Sequence, residues 1–198
     1  MDAQEIVRKY GLDPPPKHDE FLRQLRSLPG YPHNWLYSPA PPRDLLQGDI
    51  VGPIDYVLTS EDNERGILAG DVMLISNTCD AVPQQSRFAL IAPVTELEIY
   101  TKPEGQDDEA WLNHLMALRK FEIDSYYYLP SWFGRPDAFA DFSRITHLPS
   151  SHLQTSFAAN EVHRSASLSS KGHLLLLAKL AYFLVRLEAG EVQRQTEA

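Results

Sequence analysis

Residues 45–100 are divided into short apolar runs rich in β-branched side chains, and each run ends at Gly, Pro or a cluster of charges. Such runs predict strands, here at residues 49–51, 54–58, 71–76, 87–94 and 96–100, with a polar loop at 60–70. A layered α/β sheet would need a crossover helix after each strand, and most of these connections are too short for one. The pattern therefore favours a small β-barrel.

The residues that follow add helices to this barrel. A helix is predicted at residues 108–120, where Asp107 or Asp108 can cap its first turn. Strands are expected at 126–129 and 140–145. A last helix should begin at Ser169 or Ser170, run to 188 and stop at Gly190. The predicted fold class is α+β, with an inserted helix and a long C-terminal helix.

Prolines mark the N-terminal part, since residues 1–44 hold eight of the 15 in the chain. Two short helices fit at 3–10 and 19–27, followed by an extended arm with anchors at Tyr31, Trp35 and Tyr37. We expect a helical and proline-rich extension at 1–44, a barrel domain at 45–190 and a disordered tail at 191–198.

Composition indicates a cytoplasmic protein. The single cysteine cannot form an internal disulfide, which suits a reducing compartment, and the first ten residues lack a signal-peptide core. The longest apolar run, 174–185, is shorter than the roughly 20 residues that cross a bilayer, so no membrane association is predicted. A net charge of −9 argues against unspecific binding to phosphate backbones.

Four sequence pieces occur in a suggestive order. They are Gly-Asp-Ile-Val at 48–51, the acidic Ser-Glu-Asp-Asn-Glu-Arg-Gly at 60–66, Val-Met-Leu-Ile-Ser-Asn at 72–77 and Leu-Ile-Ala-Pro-Val at 90–94. Together they resemble the MazF/PemK toxin family, over about a quarter of the chain. The resemblance implies an SH3-like barrel and cleavage of single-stranded RNA without a metal.

The resemblance also suggests catalytic residues. The toxins use an Arg at the end of the acidic loop and a Ser or Thr on a neighbouring strand, which points to Arg65 with Ser76 or Thr78 here. The usual Arg-Pro start of the next strand is replaced by Ala69-Gly70-Asp71, and an acid would repel the scissile phosphate. This departure argues against catalysis.

The charge of the barrel segment argues the same way. Residues 45–100 carry nine acids against the two bases Arg65 and Arg87, a balance of −7. A groove for single-stranded RNA normally pairs a positive track with stacking aromatics. RNA is therefore possible as a partner but disfavoured.

Cys79 and Asp80 follow the strand that ends at Ser76. One interpretation is a reactive thiol or a binding loop; the other is a buried small Cys with Asp80 capping a turn, because a neighbouring acid suppresses thiolate. The order Ser76-x-x-Cys79-Asp80, then Tyr128-Leu129-Pro130, is similar to a pattern in uncharacterised bacterial proteins, some linked to phage defence.

Histidines number seven, and four fall between positions 147 and 173. Their spacings match no familiar metal motif, and no second Cys is present for a zinc site. The sequence also lacks a Gly-x-Ser-x-Gly elbow and a Gly-rich phosphate loop. We therefore predict no metal site and no cofactor.

Five aromatic residues within eight positions around Pro130 are candidates for a stacking or protein-recognition surface: Tyr126, Tyr127, Tyr128, Trp132 and Phe133. Tyr126, Tyr128 and Trp132 are the predicted binding residues among them. Alternatively, alternate members of this group lie in the core with Tyr hydroxyls at the rim. The closing helix is apolar around nearly its whole circumference, so it needs cover from the barrel and the inserted helix or from another protein.

The predicted function is a non-catalytic protein-interaction module, derived from a MazF/PemK-like barrel in a toxin-antitoxin or phage-defence system. A protein partner is expected, and a homodimer is open because MazF-like barrels are commonly dimers. The alternative is a metal-independent endoribonuclease that uses Arg65 with Ser76 or Thr78. An enzyme or redox sensor that depends on Cys79 is a third class.

Overall fold

The computed structural model describes residues 36–59, 62–77 and 86–185. Over these ranges the chain is α+β, as predicted, with a seven-stranded antiparallel sheet, three α-helices and one 3-10 helix. In chain order the elements are β1 (Ile50–Thr59), β2 (Arg65–Leu74), β3 (Phe88–Glu96), α1 (Asp108–Arg119), β4 (Tyr126–Leu129), β5 (Ala138–Asp141), a 3-10 helix (Phe142–Arg144), β6 (Thr146–Pro149), α2 (Ser150–Ala158), β7 (His163–Ala166) and α3 (Ser170–Val185).

The sheet has the order β4-β5-β3-β2-β1-β7, and β6 also pairs with β3. β5 lies along residues 94–96 of β3 and β6 along residues 88–91, with the 3-10 helix between them. The sheet curls until β6 approaches the far end of β1, where the Thr146 hydroxyl donates to the Val57 carbonyl at 3.0 Å. The result is a small barrel-like layer.

β1 corrects the prediction of two separate strands at 49–51 and 54–58. The segment forms one strand that is irregular between Val51 and Ile54, where the Gly52-Pro53 peptide bond is cis. A bulge is a place where a strand tolerates proline. Gly52 is required there, because a Cβ atom would lie 2.7 Å from the Asp71 Cα atom.

β2 begins at Arg65, so the prediction of a loop throughout 60–70 is wrong for its second half. Residues 65–69 are all exposed. The sequence there lacks the alternation of apolar and polar side chains by which a half-buried strand is predicted. Pairing with β1, from Thr59 opposite Arg65 to Ile54 opposite Gly70, extends the strand beyond the core. Only this tertiary pairing makes the segment a strand.

The structure differs from the predictions in other elements as well. The strand expected at 96–100 is absent, since β3 ends at Glu96 and residues 97–99 form a turn. The strand expected at 140–145 starts earlier, at Ala138, and gives way to the 3-10 helix. The sequence interpretation missed β6, α2 and β7, because each of the two strands has only four residues and α2 has no side-chain cap.

The inserted helix is confirmed as α1, and Asp107 is its cap, with a carboxylate that accepts from the Ala110 amide at 3.0 Å. The predicted C-terminal helix is confirmed as α3 up to Val185, and the remaining predicted turn lies outside the described residues. The predicted helices at 3–10 and 19–27, the anchors Tyr31 and Trp35, and the predicted tail lie outside them as well.

Two groups of buried side chains fill the structure. One lies inside the curled sheet, where alternate β1 residues Ile54, Tyr56 and Leu58 meet Leu153 of α2. The other lies between the sheet, α1 and α3, and includes Leu118, Tyr127 and Leu176. Leu36, the first described residue, already belongs to this second group, so residues 36–44 run along the same body as the barrel.

An ion pair between Asp49 and Arg164 joins segments that lie 115 residues apart in the chain. The Asp49 carboxylate is fully buried and accepts from Arg164 Nη1 at 2.9 Å, from the Ser167 hydroxyl at 2.5 Å and from the Leu46 amide at 2.9 Å. Arg164 also donates to the carbonyls of Asp44 and Pro42. One carboxylate thus holds β1, β7 and the entering chain together.

Replacement of Asp49 should therefore be costly. Asp49→Ala leaves the Arg164 cation buried without its carboxylate, and we expect a loss of about 3–5 kcal/mol in the free energy of unfolding. Chemical denaturation measures this loss. Asp55→Ala, at an exposed position of β1, is the control and should change stability by about 0.5 kcal/mol or less. A loss below about 1 kcal/mol for Asp49→Ala would contradict the assigned role.

Lys179 of α3 is the second buried cation, only 1% exposed. Its ammonium donates to the carbonyls of Phe121 at 3.0 Å and Ile123 at 2.6 Å, and Asp124 Oδ1 lies 3.8 Å away. Burial lowers the pKa of Lys179 to about 8, although the nearby Asp124 carboxylate opposes the change. The lysine therefore binds α3 to the chain that leaves α1 at an electrostatic cost.

This cost predicts a pH dependence of stability. As pH rises through 8 the folded state releases the Lys179 proton, while the unfolded chain keeps it until about pH 10.4. Stability contributed by this group should rise by roughly 1 kcal/mol between pH 7 and pH 9. Denaturant unfolding of the wild type and of Lys179→Met across that range measures it. If the difference between the two proteins stays constant with pH, Lys179 has an ordinary pKa.

Candidate functional site

A cleft of about 540 Å³ lies where the free end of the β1–β2 hairpin faces β6 and α2. Its apolar lining comes from both sides: Val57, Ile67, Phe88, Leu148 and Pro149. Its polar lining comprises one carboxylate, one guanidinium, two imidazoles and three hydroxyls, from Asp55, Arg65, His147, His152, Tyr56, Thr59 and Thr146.

Strand alternation explains why these residues meet. In β1 the even residues from Ile54 to Leu58 point into the core, so Asp55, Val57 and Thr59 face outward. The register places Ile67 opposite Val57 and Arg65 opposite Thr59, which completes one wall. The antiparallel pairing of β1 and β2 is thus the feature that positions Arg65.

The opposite wall is built by β6, whose position follows from its pairing with β3. His147 lies opposite Leu90 and Pro149 opposite Phe88. The Phe88 and His147 rings meet edge to face, with centroids 5.0 Å apart and planes at 83°. His152 belongs to the first turn of α2, which follows β6 directly. The two histidines are exposed, and each can present a ring nitrogen to the cleft.

Burial raises the pKa of the Tyr56 hydroxyl, while the nearby Arg144 guanidinium lowers it. The phenol therefore stays protonated at neutral pH and can donate a hydrogen bond. Asp55 is the only carboxylate among the lining residues. The Arg65 guanidinium balances this carboxylate among the described lining residues, whereas the barrel segment as a whole is strongly acidic.

Arg65 and Ser76, the two described residues of the sequence-predicted catalytic set, are not brought together. Arg65 begins β2, whereas Ser76 follows its last residue by two positions, so about 30 Å of strand separates them. Ser76 is 8% exposed, and its hydroxyl accepts from the Leu90 amide at 2.5 Å. Thr78, Cys79 and Asp80 lie outside the described residues.

Tyr128 and Trp132, two of the predicted binding residues, belong to the core. The Tyr128 hydroxyl donates to Asp137 Oδ2 at 2.9 Å, and the Trp132 ring lies 5.7 Å from that of Tyr37. Burial raises the pKa of Tyr128 well above its ordinary value. The turn that follows Trp132 exposes Phe133, another member of the predicted aromatic cluster, which is 77% exposed.

Tyr126 is half-buried in an aromatic group on α1 and β5. Its hydroxyl lies 3.4 Å from that of Tyr100, and the Tyr100 hydroxyl lies 3.1 Å from His114 Nε2. Burial raises the pKa of Tyr126 and lowers that of His114. Tyr126 therefore contributes a rim hydroxyl rather than an open stacking surface.

The charge arithmetic of residues 45–100 missed two arginines from later in the chain. Arg164 pairs with Asp49, as described above. Arg135 Nη2 lies 3.0 Å from Asp71 Oδ2, and its Nη1 lies 3.9 Å from Glu96 Oε1. Asp71, which had seemed to repel a phosphate, is thus neutralised. Only distant pairing brings these arginines there, so a sum over a segment could not find them.

The sequence also showed no sign that His147 and His152 lie in one cleft, since the histidine spacings match no known motif. Their common cleft depends on β6 and α2, two elements that had not been predicted.

In the ranges that the structure describes, no three His, Cys, Asp or Glu side chains are grouped to hold a metal ion. No helix in those ranges has the length and apolar character to cross a membrane.

No protein-family model matches the chain, and no curated protein matches it in sequence.

Proposed function

We propose that this protein is a non-catalytic protein-interaction module built on a small SH3-like barrel of the MazF/PemK type. The observation that carries the proposal is the position of Arg65. It lies far from Ser76 but shares a cleft with exposed apolar side chains. Such a cleft suits a protein partner better than catalysis by Arg65 together with Ser76, the pair that the sequence resemblance suggests.

The apolar side chains around the cleft support a protein partner. Val57 is 45% exposed, Ile67 75% and Phe88 50%. Grouped exposed apolar side chains with polar groups at their margin are typical of protein-binding surfaces. The curled antiparallel sheet is compatible with the proposed barrel type. The toxin-antitoxin or phage-defence setting rests on the sequence resemblance alone.

Photo-crosslinking tests this function. We expect a photoreactive amino acid at position 67 or 88, introduced singly in the source cell, to give the same discrete crosslinked product. Leu112 is the matched control position, because it is an apolar α1 residue that is 59% exposed and does not line the cleft. The proposal fails if positions 67 and 88 give no product beyond that obtained at 112.

RNA cleavage is the second candidate function, because the cleft brings Arg65 together with His147 and His152. Metal-independent cleavage needs a base to take the 2′-hydroxyl proton, an acid to protonate the leaving oxygen and a cation for the phosphate. The two imidazoles and the guanidinium are of the right chemical types. The apolar bulk of the cleft lining and the absence of a second cation among the lining residues favour the first proposal.

An RNA assay separates the two functions. With single-stranded RNA and EDTA we expect no cleavage by the wild type above the level of Arg65→Ala or His147→Ala. If the wild type cuts and both variants lose at least about 100-fold in rate, the endoribonuclease is correct. Arg87→Ala is the control, since it removes the other arginine of the segment, which does not line the cleft.

A further inference from the structure

β2 has one edge that the described chain leaves open. On one side it pairs with β1 along residues 65–73. On the other side, within the ranges that the structure describes, it pairs with β3 only through Val72, Met73 and Leu74. Residues 65–70 therefore form an edge strand. An edge of this kind exposes a row of backbone donors and acceptors to another chain.

Hydrogen bonds of Leu74 show which backbone groups lie on that edge. Its amide donates to the Asp49 carbonyl and its carbonyl accepts from the Gly48 amide, so both groups point to the β1 side. Alternate residues of a strand point to alternate edges. Ile67 and Ala69, an odd number of residues away, therefore direct their amides and carbonyls to the open edge. The pairing of Val57 with Ile67 supports this direction. The Val57 carbonyl accepts from the Thr146 hydroxyl on the side of β1 away from β2, so the backbone groups of this pair point away from each other.

The open edge lacks the prolines and lysines that usually prevent an edge strand from pairing with another chain. Residues 65–70 contain no proline and no lysine, and they belong to an unbroken ladder with β1. Ile67 is 75% exposed and Leu68 42%, so one apolar side chain lies on each face of the strand. The edge ends at Asp71, where Arg135 pairs with the carboxylate.

Charge selects the kind of chain that fits. The β1–β2 hairpin that carries this edge is acidic, since residues 54–70 contain the acids Asp55, Glu61, Asp62 and Glu64 against the one base Arg65; Arg144, from later in the chain, lies near Tyr56. A second copy of this chain would bring its own carboxylates against these, which is unfavourable for a protein of charge −9. A basic segment would instead be attracted.

We infer that residues 65–70 are a strand-addition site for an extended, basic segment of another protein that carries apolar side chains at alternate positions. Backbone hydrogen bonds to Ile67 and Ala69 give the pairing, and the carboxylates select the charge. This inference rests on the proposed interaction function and names the chemistry of the partner.

Synthetic peptides provide the test. The probe is an eight-residue peptide of alternating Val and Lys, measured by fluorescence anisotropy against the full chain. It should bind at least tenfold more tightly than the Val and Glu version. Two further peptides carry N-methyl groups on every second amide, one on the odd-numbered and one on the even-numbered residues. At least one of them should bind at least tenfold more weakly, because strand pairing uses alternate amides.

Protein variants locate the site. Ala69→Pro removes one outward amide and should weaken binding at least tenfold, whereas Ala69→Val keeps the amide and should not. Ile67→Lys should weaken binding of the Lys peptide and Ile67→Glu should strengthen it, which gives a readout that does not depend on the proline. Thermal unfolding confirms that each variant is folded.

Four results would overturn the inference. If both N-methylated peptides bind with the affinity of the unmethylated one, charge attraction alone accounts for binding. Binding that ignores both the Ala69 and the Ile67 variants would lie elsewhere. A wild-type dimer in analytical ultracentrifugation that Ala69→Pro dissociates would make the second copy the occupant. Crosslinking at positions 67 and 88 that persists in Ala69→Pro would leave the proposed function standing without this site.

Discussion

Burial of the Asp49 carboxylate is the constraint on which the rest of the structure depends. An ionised group inside a protein is tolerated only when partners replace water, and here they are the Arg164 guanidinium, the Ser167 hydroxyl and the Leu46 amide. Arg164 and Ser167 lie more than 100 residues after Leu46 in the chain. Their convergence fixes β7 beside β1 and sets the point from which the β1–β2 hairpin extends.

The hairpin then determines the functional surface. Close to Asp49 it is buried on both faces. Towards Thr59 and Arg65 only the inner face of β1 stays buried, while residues 65–69 of β2 are exposed on both faces and include apolar side chains. One face meets β6 across the cleft, and one edge of β2 has no strand partner within the described ranges. The two candidate binding features are consequences of a single arrangement, a β-hairpin longer than the sheet that supports it.

Charge illustrates how sequence sums mislead. Residues 45–100 carry −7, which suggested a surface hostile to RNA. In the folded chain Arg164 and Arg135 pair with Asp49 and Asp71, and the cleft lining contains a single carboxylate. Of the other described acids in this segment, Asp62 and Glu64 lie between β1 and β2, and Glu96 Oε1 lies 3.9 Å from Arg135 Nη1. The overall balance was correct, but its distribution depended on pairings between distant residues.

The sequence by itself determined the α+β class, the capped helix after Asp107, the strand at 126–129 and the start of the last helix, because local patterns of apolar residues, caps and breakers specify these elements. Only the tertiary structure decided that residues 65–70 form a strand, that four-residue segments become β6 and β7, and that Arg65 lies near two histidines rather than near Ser76. These features come from backbone pairing between segments far apart in the chain. Such pairing depends on the register of whole strands, which no local pattern contains.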